Sequence, residues 1–169
     1  QPSAGSTSPL WSAILAIGYL FRLPHLAWTY GLGWLSLVLV AYTGMIFSEQ
    51  VFGVEPSSSR WVAVFLVLEW HLLWAAGSGM ETLLFSGLVF YTLLLLFSLK
   101  ERWFVVGALI GVSIWLRPDG LTLLGPLCWV IYFRNQTWRE RFWNLVISLT
   151  GFLLLMGPYL VFNYMLAGN

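Results

Sequence analysis

The stretch WTYGLGWLSLVLVAYTGMIFS, Trp28 to Ser48, decides the fold class, because its 21 residues carry no charge at all. A helix needs roughly 20 apolar residues to cross about 30 Å of hydrocarbon, and this run meets that length. Phe142–Leu166 meets it again, and Trp61–Ala76 and Thr82–Leu99 come near it. Trp103–Leu116 and Gly120–Phe133 are short, at about 14 residues each, and join at the break Arg117-Pro118-Asp119-Gly120. The first apolar stretch, Pro9–Phe21, would reach only ~20 Å at 1.5 Å per residue. It suits an interfacial or re-entrant helix, with Ser8 as N-cap and Pro9 at the first helical position. The expectation is an all-α polytopic membrane bundle of about six transmembrane helices plus that one short helix. All of it forms a single membrane domain over residues 1–169.

Composition points the same way. Hydrophobic residues make up 59% of the chain and charged residues 9%, with a mean hydropathy of +0.81. A water-soluble domain carries about 25% charged residues. The formal net charge is +1 and no basic patch lies outside the loops, so nucleic acid is not an expected partner. The single cysteine, Cys128 in LLGPLCWVIYF, excludes an internal disulfide and reads as a small buried hydrophobe. The chain opens at Gln1 without an initiator methionine or a signal peptide and stops at Gly168-Asn169 just after a span. Both ends look cut, and the chain is expected to be an internal fragment of a larger membrane module.

Loop charges orient the spans. With six spans counted from Trp28, one side receives the loops Ser48–Arg60, Lys100–Arg102 and Arg134–Arg141. They hold Arg60, Lys100, Arg102, Arg134, Arg139 and Arg141, six of the eight basic residues. The opposite side receives only Arg22 and Arg117. The positive-inside rule makes the six-charge side cytoplasmic. The first short helix then begins and ends outside, as its length already required. Most of the tryptophans and tyrosines fall near span ends, as an interfacial aromatic belt does.

The outer face therefore collects His25 beside Pro24, the turn GSGMET and the turn RPDG. Ser78-Gly79-Met80-Glu81 has the spacing of a capping box, with Ser78 accepting from the Glu81 amide and the Glu81 carboxylate reaching back. The same carboxylate, at an outer helix end, is available to a cation or a sugar hydroxyl. Pro118 and Asp119 suit the start of a helix. Arg117 is left over by that account. Non-helical backbone within a membrane is tolerated only inside protein or against a water-filled cavity. A guanidinium there is a planar, permanently charged donor suited to phosphate. An ion pair of Arg117 with Asp119 or Glu81 is the structural alternative. Glu69 and His71 lie inside Trp61–Ala76. Ionisable groups within a span are costly and suggest function, but two residues apart on a helix they face different ways and form no dyad. No metal-ligand spacing, nucleophile elbow, P-loop or dinucleotide fingerprint occurs.

STSPLW at Ser6–Trp11, SGMET at Ser78–Thr82, LRPDG at Leu116–Gly120 and FNYMLAGN at Phe162–Asn169 follow one another in this order. Together they resemble the GT-C superfamily of integral-membrane glycosyltransferases, relatives of dolichyl-phosphate-mannose mannosyltransferases, aminoarabinose transferases and mycobacterial arabinofuranosyltransferases. The resemblance spans nearly the whole chain. It implies inverting transfer of a sugar from a polyprenyl-phosphate donor to a glycan or glycolipid acceptor at the outer side of the cell membrane. In the family an acidic residue in the first large outer loop acts as base. The segment after it looks like Pro9-Leu10-Trp11, which would place the first span and the catalytic aspartate before Gln1. Glu81 matches the SGMET-like motif, and Arg117 and Asp119 the RPDG-like motif. Arg117 is expected on the donor phosphate, with Glu81 and Asp119 orienting sugar hydroxyls, a divalent cation or Arg117 itself. His25 joins them as a substrate-binding candidate. Two other classes stay open: a transporter or flippase for a lipid-linked or anionic substrate, using the same broken helices and arginine, and a non-catalytic membrane subunit whose polar turns only cap helices.

Overall fold

The computed structural model describes residues 8–98, 102–134 and 136–167. Every regular element among them is helical and none is a strand. In chain order these are α1 (Pro9–Leu20), α2 (His25–Phe52), α3 (Pro56–Leu68), α4 (Trp70–Ser78), α5 (Thr82–Phe97) and α6 (Trp103–Leu116). A 3-10 turn (Pro118–Leu123), α7 (Leu124–Phe133) and α8 (Trp138–Ala167) follow. By length and apolar content α2 and α8 can each cross a membrane, so the chain has the elements of a membrane protein. A third crossing results if α3 and α4 count as one span, although they meet at 54°. α5 and α6 are apolar but only 16 and 14 residues long, and α7 has 10.

The described residues form two compact units, one within Leu10–Leu94 and the other from Leu95 onward together with Ser8 and Pro9. In the first unit α2 runs antiparallel to α3 and α4. Gly33 lies against the Ala76 backbone, Gly44 against Leu66 and Gly79 against Thr29, so facing positions add to a near-constant sum. Leu37, Val40, Ala75, Ala76 and Leu83 make its buried core. At the far end of α2, buried Ser59 donates to the Glu49 carboxylate. At the near end α1 is fixed by two indole N–H groups. Trp11 donates to the Gly79 carbonyl at 3.2 Å and Trp28 to that of Ile14 at 3.2 Å. The short first helix starts at Pro9 as its sequence predicts.

In the second unit α6 and α8 lie side by side and run parallel. Gly107 abuts Ser148, Gly111 abuts Phe152 and Leu155, and Gly151 abuts Phe104 and Ala108. Membrane helices associate through such small residues, because lipid supplies no hydrophobic drive between them. Trp115 ties the upper end, donating to the Leu155 carbonyl at 2.8 Å and meeting Tyr159 edge-on at 5.4 Å between ring centres. Eight of the fourteen α6 residues are buried, which explains why it shows no polar face. Parallel neighbours require a return path, and the 3-10 turn with α7 supplies it.

Three expectations are corrected here. Trp61–Ala76 is not one continuous helix, because Glu69 leaves helical geometry at φ −64°, ψ 123°. The segment Gly120–Phe133 is not a helix throughout, since its first residues belong to the 3-10 turn and only Leu124–Phe133 is α-helical. Cys128 is exposed rather than buried. α7 buries Leu127 and Ile131, four residues apart, and turns the neighbouring Cys128 away from them.

Candidate functional site

α6 ends at Leu116, where Arg117 becomes extended at φ −154° while its amide still donates to Ser113 O at 2.8 Å. Pro118 then opens the 3-10 turn, and Gly120 N–H donates back to Arg117 O at 3.0 Å. This folds the turn over the last coil of α6. A side chain at Gly120 would run into Ser113 Oγ and its backbone, so the glycine of the motif is a requirement of packing. The fold-back brings Arg117 Nη2 to 3.2 Å from Asp119 Oδ2. Both groups reach solvent, with 36% of the arginine side chain and 64% of the aspartate exposed. An ion pair this open contributes about 0–1 kcal/mol, so it orients the guanidinium more than it stabilises the fold. The contacts Gly107–Ser148, Gly111–Leu155 and Trp115–Tyr159 give a register of 41 to 44 residues between α6 and α8. Arg117 therefore stands level with residues 158–161, and α8 continues at least ~9 Å further at 1.5 Å per residue. The polar break lies below the end of its neighbour.

Ser78 does not form the expected capping box. It is the last residue of α4, where its hydroxyl donates to the Ala75 carbonyl at 2.8 Å. Gly79 closes the helix in the left-handed region at φ 72°, as a C′ glycine does. Glu81 precedes α5 and its carbonyl accepts from Phe85 N–H at 2.9 Å. Its half-buried carboxylate has no hydrogen-bond or ion-pair partner among the described residues. The reciprocal box occurs instead at Thr137 and Glu140, ahead of α8. There Glu140 Oε2 accepts from Thr137 N–H at 2.8 Å and Oγ1 at 2.9 Å, and Glu140 N–H donates to Thr137 Oγ1 at 3.4 Å. His25 is the first residue of α2, exposed, with its ring 5.7 Å from that of Tyr19 across the α1–α2 turn. That turn and the Gly79 turn share the end of the first unit closed by α1.

Glu69 and His71 do form a pair, contrary to the expectation from helix geometry. Glu69 is the N-cap of α4, not an interior residue, so its side chain is free to swing over the first turn. Its Oε2 accepts from Leu72 N–H at 2.8 Å and its Oε1 lies 2.7 Å from His71 Nδ1. The histidine side chain is 86% exposed. On the same helix Trp70, Leu73, Trp74, Gly77 and Ser78 repeat at helical spacing. With Trp34 and Met80 they border an open hollow of about 700 Å³. Reading the tryptophans only as belt residues hides this hollow, since it is assembled by packing α4 on α2.

Among the described residues no three His, Cys, Asp or Glu side chains converge as metal ligands would. Comparison with known protein families, curated proteins and solved structures finds no match for this chain.

Proposed function

We propose that this chain is part of a GT-C glycosyltransferase that moves a sugar from a polyprenyl-phosphate donor to an extracytoplasmic glycan or glycolipid acceptor. In this reading the bundle crosses the cell membrane about six times, the arginine-rich ends are cytoplasmic, and Glu81, Arg117, Asp119 and His25 serve the outer substrate face. The observation that carries it is the Arg117–Asp119 pair. A guanidinium is oriented by a carboxylate at the recessed end of a buried apolar helix and still reaches solvent. Such a fork matches two oxygens of a phosphate at once, and a lipid phosphate is the anion that reaches this depth. The hollow of about 700 Å³ beside Ser78 is concave and mostly apolar with few polar groups, the usual form of a small-molecule site.

The test uses membranes carrying the protein from its complete reading frame, supplied with radiolabelled polyprenyl-phosphate sugar. Arg117→Ala is expected to abolish transfer at normal protein levels, and Arg117→Lys to leave a small fraction of it. Unchanged transfer by Arg117→Ala sinks the assignment. A transporter is the second reading, favoured by the 54° break between α3 and α4 at the exposed Glu69–His71 pair. Substrate flux across sealed proteoliposomes without any glycosidic product supports it.

A further inference from the structure

Beside the Gly79 turn, the first unit holds the open hollow of about 700 Å³. Trp70 and Trp74 stand one turn apart on α4, and residues three and four apart share a helix face. Trp34 reaches the same hollow from α2, because the neighbouring Gly33 lets α2 touch the Ala76 backbone. Met80 borders it after the turn. Beyond Trp74 the wall stays low, since a Cβ at Gly77 would meet nothing within 4 Å. Trp34, Trp70 and Trp74 are 52%, 69% and 60% exposed, so a ligand reaches all three without any part of the fold moving.

The chemistry of the lining narrows the ligand. Among the described residues no arginine, lysine or histidine lines the hollow, which disfavours an anion. Carboxylates adjoin the lining instead. Glu69 precedes Trp70, and the half-buried Glu81, without a partner among the described residues, follows Met80. Residues 10–94 carry four glutamates against Arg22 and Arg60, and Arg60 lies at the opposite end of α2, next to the Ser59–Glu49 contact. A sugar is disfavoured as well. The one hydroxyl in the lining, that of Ser78, donates to the Ala75 carbonyl at 2.8 Å and accepts from Met80 N–H at 3.4 Å, and indoles only donate. A trimethylammonium group asks for no hydrogen bond. It is attracted to aromatic faces, tryptophan above all, and to negative surroundings. We propose that the hollow binds a free quaternary ammonium ion of the choline type, its methyl groups among Trp34, Trp70 and Trp74 and the rest of the molecule along Leu73 and Met80. The proposal does not rest on sugar transfer.

The test is isothermal titration calorimetry of the intact protein in neutral maltoside micelles, with choline and with 3,3-dimethylbutanol, the uncharged molecule of the same shape. From three exposed cation–π contacts, choline is expected to bind about tenfold more tightly or better. Trp74→Leu should lose about two- to fivefold, and Trp34→Leu with Trp74→Leu about five- to thirtyfold. Trp129→Leu, at an exposed site in α7 of the second unit, should change nothing. Equal affinity of the wild type for the two compounds overturns the proposal. So does a folded double variant that binds choline as the wild type does, or an equal loss in Trp129→Leu. Binding of phosphatidylcholine in mixed micelles without binding of choline also overturns it, because the hollow is then a lipid contact. If the double variant fails to fold, Trp74→Leu and the wild-type comparison decide the matter.

Discussion

Adding one methyl group at each of three glycines tests the parallel packing of α6 on α8. A Cβ at Gly111 would lie 2.9 Å from both Phe152 O and Leu155 Cβ, roughly 0.6 Å inside the favourable ~3.5 Å separation. A Cβ at Gly107 would overlap Ser148 O and stand 2.7 Å from its carbonyl carbon. Backbone cannot rotate away as a side-chain tip can, so the helices must part. Overpacking costs typically ~1–3 kcal/mol, which puts Gly111→Ala near the low end and Gly107→Ala at the high end. Parting the helices also strains the Trp115 bond to Leu155 O, worth about 1 kcal/mol. At Gly31 in α2, used as a control, an added methyl would meet nothing within 4 Å, and alanine there gains a few tenths up to ~1 kcal/mol from helix propensity. Unfolding by SDS in mixed micelles, followed by circular dichroism, should rank the variants Gly31→Ala, wild type, Gly111→Ala, Gly107→Ala from most to least stable. A Gly107→Ala protein as stable as the wild type, or less perturbed than Gly111→Ala, refutes the parallel contact.

Three further outcomes follow from the site descriptions. Thr137→Ala removes the N-cap of α8 and should cost about 0.5–2 kcal/mol, whereas Ser78→Ala should leave the start of α5 untouched; amide exchange in each first turn separates the two. Glu69→Ala should speed exchange of the Leu72 amide and free the His71 ring, while Glu69→Gln keeps most of the protection; equal exchange in all three proteins contradicts the cap. Cys128 should react with a lipid-soluble maleimide in the folded protein at a rate close to that after SDS unfolding, and strong protection contradicts its exposed position.

The all-helical character was legible because long uncharged runs leave no other way to satisfy backbone polar groups in lipid. The start of α1 was legible too, since Pro9 can only begin a helix. Where helices stop proved harder. Ser78-x-x-Glu81 and Thr137-x-x-Glu140 have the same spacing, yet only the second is a capping box. Ser78 still belongs to the helix before it and is followed by a glycine that terminates that helix, while Thr137 follows a polar loop. The break at Glu69 carries no proline or glycine. It shows only as a carboxylate in an apolar run, a signal that cost and function share. The Arg117–Asp119 pair was one of two partners open from spacing, and the packing of Gly120 against Ser113 selects it. The Trp34–Trp70–Trp74 hollow depends on which helices pack together, which one-dimensional periodicity does not encode.

The central claim is that Arg117 receives a lipid-linked phosphate. Photo-crosslinking tests it most directly, using a polyprenyl-phosphate sugar with a diazirine on its first isoprene unit, applied to membranes and mapped by peptide mass. The account predicts labelling of the peptide around Arg117–Asp119, its loss in Arg117→Ala, and none with the neutral polyprenol. Labelling that is equal for polyprenol and phosphate, or that persists in Arg117→Ala, contradicts it.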